Sequence, residues 1–235
     1  MEDKNKPTAI SPSASSGLTR KQTVSLPGLH ARLRSPAAKA NDALTRTNRL
    51  ALMLDVSGSM HGDKIQSLRD AVTGFINACD FSNTAVALEP FGEGNPPPNR
   101  MDLNVFGPLL LSTVQMLNAN GSTPMANAMD YVLNSYSITR GVIVSDGQPD
   151  SEAAVYESVE HYRGAEIPVD CVHIGHDTHG EACLRRVAET TGGQFIKFTD
   201  IASFSKSFKY LTPRYYAMLT GGHVTAAELG AKELK

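Results

Sequence analysis

Three short polar clusters carry the oxygen chemistry of this 235-residue chain. Asp55-Val-Ser57-Gly-Ser59-Met60 follows one apolar run. Gly121-Ser122-Thr123-Pro124-Met125 precedes a helical pattern, and Ser145-Asp146-Gly147 follows a second apolar run. Together they offer two carboxylates and several hydroxyls, with no thiol or imidazole. Such hard oxygen donors suit Mg²⁺, Mn²⁺ or Ca²⁺ and suit zinc poorly. In Asp-x-Ser-x-Ser, three side chains two residues apart around a glycine-containing turn can converge on one point. Mg²⁺ takes six ligands and usually keeps waters, so few direct protein ligands would leave a position open. A plainer reading competes at two of the clusters. Asp55, Ser57 and Ser59 could form only a polar turn capping the helix that begins near Asp63. Thr123 suits a helix N-cap with Pro124 at the first helical position, a role compatible with metal ligation.

The elements around these clusters predict how they meet. Leu50–Leu54 and Gly141–Val144 are continuous apolar runs, as expected for strands buried on both faces. Strands are also expected at Thr84–Gly92, about 102–109, Val169–Ile174 and Phe195–Phe198. Gly94-Asn-Pro-Pro-Pro-Asn99 cannot join a ladder, because proline lacks an N–H, so it reads as a loop leading to an antiparallel edge strand. Helical spacing marks Ile65–Cys79, Met125–Tyr136, Val155–Tyr162 and Leu184–Thr191, with a short helix at Val114–Asn118 and a last one from Ile201 to Leu211. Gly192-Gly193 should end the fourth of these in a left-handed cap. Strands alternating with amphipathic helices give an α/β class: a doubly wound, mostly parallel six-stranded sheet with one antiparallel edge strand and helices on both faces. Ligands of such sheets bind outside the carboxyl ends of the strands near the switch in strand order, and all three clusters fall at or near that rim.

The ordered set Asp55-x-Ser57-x-Ser59, Thr123 and Asp146 resembles the metal-ion-dependent adhesion site (MIDAS) of von Willebrand factor type A (VWA) domains. The flanks match too: an apolar strand before Asp55, Gly-x-Thr-Pro-Met around Thr123, Asp146-Gly147 after a strand, and the late Thr191-Gly192-Gly193. The resemblance covers roughly residues 48–220. It implies a Rossmann-like VWA fold in which Ser57, Ser59 and Thr123 are direct hydroxyl ligands. Asp55 and Asp146 would act directly or through water. It further implies a protein partner whose Asp or Glu fills the remaining metal position, and hence a divalent-metal-dependent interaction module. Intracellular members of the family include partners of MoxR-type AAA ATPases, so an adaptor role belongs to what the resemblance implies.

Composition narrows the alternatives. Apolar residues make 41% of the chain, beside 19 glycines, a globular balance. No apolar run spans a bilayer and no secretory h-region is visible. Three cysteines, odd in number and without metal-ligand spacing, read as reduced thiols, so the expected setting is cytoplasmic. Net charge is −2, unevenly spread. Residues 1–48 hold eight basic and three acidic side chains and read as a basic, largely flexible arm before a domain at 49–220 and a tail at 221–235. Nucleic-acid binding through that arm is the alternative function, disfavoured by the absence of aromatic residues from it. A metal-dependent hydrolase is less favoured still. No Gly-x-Ser-x-Gly surrounds Ser57, no Gly-x-x-x-x-Gly-Lys loop exists, and Lys64 is expected on the surface of the first helix, so the chain is expected not to be an enzyme. His173, His176 and His179 beside Asp177 invite a transition-metal reading. His173 is expected inside a strand and pointing away from the loop, and the other two at the margin of the main site.

Overall fold

Both apolar runs become central strands of one sheet in a computed structural model that describes residues 42–92, 94 and 97–198. The strands are β1 (Asn48–Asp55), β2 (Thr84–Phe91), β3 (Met101–Asn104), β4 (Arg140–Ser145), β5 (Val169–Ile174) and β6 (Phe195–Phe198). They lie in the order β3-β2-β1-β4-β5-β6. All pairs are parallel except β2 with β3, which is antiparallel, with an irregularity between Val86 and Leu88. The helices are α1 (Asp63–Ala78), α2 (Gly107–Gln115), α3 (Met125–Ser135), α4 (Glu152–Gly164) and α5 (Thr178–Thr191). α5 ends on Gly192 in the left-handed conformation, as the sequence predicts.

The period-2 alternation of a strand explains why the runs are apolar throughout. Leu50, Leu52 and Leu54 of β1 face a core shared with α1 and α2. Ala51 and Met53 face the opposite core, built with α3, α4 and α5. Each of these side chains is fully buried. At about 1.5–3 kcal/mol for a buried leucine-sized side chain, a polar substitution in β1 would be costly on either face. This layering holds the carboxyl ends of β1 and β4 side by side at the middle of the sheet. The chain leaves β1 toward α1 on one face and leaves β4 toward α4 on the other, which opens the crevice at the switch point.

Two elements depart from the sequence reading. The third strand stops at Asn104, five residues short of its expected end, and the expected helix at Val114–Asn118 is instead α2, starting at Gly107. Pro108 lies in the first turn of α2, where a missing N–H costs nothing. Leu110, Thr113 and Val114 then bury one helical face. The Gly-Pro-Leu-Leu-Leu run is too short for periodicity to separate strand from helix. Residues 42–44 form a helical turn ahead of β1, with Ala43 buried. The expected last helix, the tail and nearly all of the basic arm lie outside the described residues. Among the described residues, no helix is long and apolar enough to cross a membrane.

Candidate functional site

Asp55 closes β1 and is fully buried. Its Oδ1 accepts the amide of Ser57 at 2.9 Å, and its Oδ2 accepts the hydroxyl of Ser145 at 2.6 Å. Ser145 ends β4, and the pairing of Leu54 with Val144 brings it beside Asp55. Burial pushes the Asp55 carboxyl up from 3.8 to about 6, although the Ser145 and Ser57 hydrogen bonds pull the other way; the charge of Asp146 adds to the rise.

From Ser57 the network runs outward along the rim. The Ser57 and Ser59 hydroxyl oxygens are 3.0 Å apart, and Ser59 donates to Asp146 Oδ1 at 2.7 Å. Because Ser59 has a single proton and gives it to Asp146, the Ser57 hydroxyl is the donor between the two serines. Asp146 Oδ2 is ion-paired with the ammonium of Lys64, the second residue of α1. Lys64 does lie on the first helix, but it reaches the site instead of standing apart on the helix surface.

Thr123 joins through its backbone. Its amide donates to Asp150 Oδ1 at 2.8 Å, and the Asp150 amide returns a bond to the Thr123 carbonyl at 3.0 Å. Upstream, the Asn120 amide bonds the Val56 carbonyl at 2.7 Å, and the Gly58 amide bonds the Gly121 carbonyl at 3.0 Å. The Thr123 loop is therefore stitched to the loop after β1 on one side and to the loop after β4 on the other. Gly92 permits this approach: a Cβ there would lie 2.6 Å from the Val56 carbonyl oxygen and 2.8 Å from that of Asn120.

Neither capping alternative survives. The N-cap of α1 is Gly62, whose φ of 75° only glycine adopts cheaply, and it makes no side-chain cap bond. The segment after Ser57 winds instead into a 3₁₀ turn, Gly58–Met60. The N-cap of α3 is Pro124, not Thr123. With helix capping excluded, the carboxylate and hydroxyls of the first cluster are spent on one another and on the neighbouring loops. Sequence reasoning missed three participants. Ser145 belongs to the third polar cluster, and its strand-end position is the available signal. In the sequence, Gln148-Pro149-Asp150 reads as a plain turn and cap, but Ser151 caps α4, accepting from the Ala154 amide, while Asp150 clamps Thr123. Nothing in the spacing signalled that Lys64 would pair with Asp146.

The histidines do not assemble. His173 is buried in β5, with neither ring nitrogen hydrogen-bonded among the described residues. His176 and His179 are exposed, and Asp177 caps α5 by accepting from the amides of His179 and Gly180. Among the described residues, no group of three or more His, Cys, Asp or Glu side chains could hold a metal. The set around Asp55 has a different make-up, with two carboxylates supplemented by hydroxyls. It already holds one cationic group, the Lys64 ammonium, against Asp146. That donor chemistry fits a hard divalent cation.

The model of the von Willebrand factor type A domain family matches residues 50–209. The chain belongs to this family. A VWA domain is a protein-interaction module. Among solved structures, a von Willebrand factor type A protein from Catenulispora acidiphila is 21% identical with a TM-score of 0.61, over 71% of this chain and 42% of that one. Proximal thread matrix protein 1 from the mussel byssus, solved with a zinc-occupied MIDAS motif, is 14% identical with a TM-score of 0.59, over 71% of this chain and 47% of that one. The VWA domain of SpRpn10 is 14% identical with a TM-score of 0.55, over 66% of this chain and 94% of that one. At these identities the likeness is one of fold. The chain spans less than half the length of the first two. No curated protein matches it.

Proposed function

We propose that this VWA domain is a divalent-cation-dependent protein-interaction module with a MIDAS at the rim of β1 and β4. The carrying observation is the continuous hydrogen-bonded set Ser57–Ser59–Asp146, anchored beside buried Asp55 and uninvolved in helix capping. In this reading Ser57, Ser59 and Thr123 hold the cation through their hydroxyls, and Asp55 and Asp146 hold it directly or through water. A bound Mg²⁺, Mn²⁺ or Ca²⁺ would supply an electrophilic position able to accept a carboxylate from a partner protein. Ser145 and the Ser57 amide fix the Asp55 carboxylate, and Asp150 fixes the Thr123 backbone. The protein's part is thus to keep a rim of oxygen atoms assembled before the cation arrives.

The partner is a protein presenting an exposed Asp or Glu, with a MoxR-type AAA ATPase the class carried over from the sequence resemblance. An adaptor role in the cytoplasm accords with three cysteines that are all free thiols. In this reading the site binds and does not catalyse. The zinc-occupied MIDAS of the mussel protein puts Zn²⁺ into the same titration series. Isothermal titration of the purified chain with Mg²⁺, Mn²⁺, Ca²⁺ and Zn²⁺ tests the reading, with Asp55→Ala as the control. Saturable binding by the wild type that vanishes in the variant is expected. Equal heats from both would overturn it.

A further inference from the structure

The Lys64 ammonium occupies one oxygen of a proposed metal-site carboxylate, and its placement runs against helix electrostatics. It stands in the first turn of α1, where the helix dipole disfavours a cation. Asp63 beside it has the charge that position prefers. Local propensity therefore does not explain the lysine, but its ion pair with Asp146 does. The two partners differ in freedom. The Asp146 side chain is 2% exposed, while that of Lys64 is 41% exposed. The ammonium can leave for water by rotation of its stem, whereas the carboxylate stays in the rim.

We propose that Lys64 is a tethered competitor for the divalent cation. In the metal-free chain it neutralises Asp146; on loading it gives up Asp146 Oδ2 and swings into solvent. This inference rests on the metal reading given above and deepens it. Metal affinity is then set below what the oxygen donors alone would give, and loading exchanges a +1 group for a +2 ion on the same carboxylate. Lys64 is a positioning residue in this scheme and ligates nothing.

The test is titration of Mg²⁺ and Mn²⁺ into the wild type, Lys64→Met, Lys64→Gln and Lys64→Arg, with Asp55→Ala as the blank, alongside thermal melts in chelator and in saturating Mg²⁺. Removing one positive charge next to the site should tighten binding about tenfold in Lys64→Met and Lys64→Gln. Lys64→Arg, which keeps the charge, should bind as the wild type does. Lys64→Met should also melt lower than the wild type in chelator yet gain more from Mg²⁺, a convergence that a merely structural lysine would not produce. Unchanged or weaker binding in both neutral variants, with the wild type still binding, would sink the competitor alone. No binding by the wild type or any Lys64 variant would overturn the metal reading and the competitor with it.

Discussion

The hydroxyl of Ser145, at the end of β4, donates to the carboxylate of Asp55, at the end of β1, at 2.6 Å, joining positions 90 residues apart in sequence. This bond crosses the switch point of the sheet and fixes the orientation of the innermost carboxylate of the rim. Burial at this position disfavours ionisation of the carboxyl even though the Ser145 bond favours it, and that has a measurable consequence.

In chelator, the Asp55 carboxyl keeps its proton in the folded state up to about pH 6, whereas the unfolded chain loses it near 3.8. The folded state binds the extra proton between these values, so stability falls as pH rises through the window and is level above it. The loss amounts to roughly 3 kcal/mol at 1.36 kcal/mol per pKa unit. Urea denaturation of wild type and Asp55→Asn at pH 4, 5, 6 and 7 should show that slope in the wild type only. Parallel profiles would refute it.

Asp150 should matter to the cation without touching it. Asp150→Ala removes the acceptor that holds the Thr123 amide and should weaken divalent binding about tenfold, as loss of an outer orienting group typically does. Asp150→Asn retains an acceptor oxygen and should restore most of the affinity. Calorimetry on the two variants decides whether the clamp is what positions Thr123.

Gly92 tests the crowding at the rim. A Cβ there meets the Val56 and Asn120 carbonyl oxygens inside 3 Å, so Gly92→Ala must push two loops apart. A cost of about 2 kcal/mol in urea denaturation is expected, with weaker metal binding because the Val56–Asn120 bond is strained. A neutral effect on both would mean that the loops yield freely.

His173 predicts acid sensitivity of the opposite sign to Asp55. Its burial holds the imidazole below its ordinary 6.5, and Lys197 pushes the same way, while Glu181, Asp177 and Asp146 favour the charged ring. As pH drops through the unfolded value, the unfolded state takes up a proton that the folded state refuses, so stability is lost. Thermal melts from pH 7.5 to 5 should show a smaller drop for His173→Leu than for the wild type.

The central architecture was legible because its signals are local and redundant. Leu50–Leu54 and Gly141–Val144 are short apolar runs ended by turn signals, the pattern of doubly covered strands, and two of the three polar clusters directly follow them while the third precedes a helix. α2 was not legible: Gly107–Gln115 is a short apolar stretch whose type is settled by burial of Leu110 and Val114 in the tertiary core. Asp150 and Lys64 were missed for a different reason. Both act across the fold, one on a backbone amide 27 positions away and the other on a carboxylate 82 positions away. Nothing in their immediate neighbours distinguishes such residues from ordinary turn and surface groups.

The stitching of the rim also bears on when the rim comes into being. Val56 receives Asn120, Ser59 reaches Asp146, and Thr123 waits for Asp150. A chain synthesised only as far as α3 can join the Val56 and Asn120 loops but has neither Asp146 nor Asp150 to complete the set. Only a polypeptide synthesised past Asp150, with its central strands already docked, presents the complete ring. A binding protein that grips this rim would thereby discriminate chains extended past Asp150 from shorter ones.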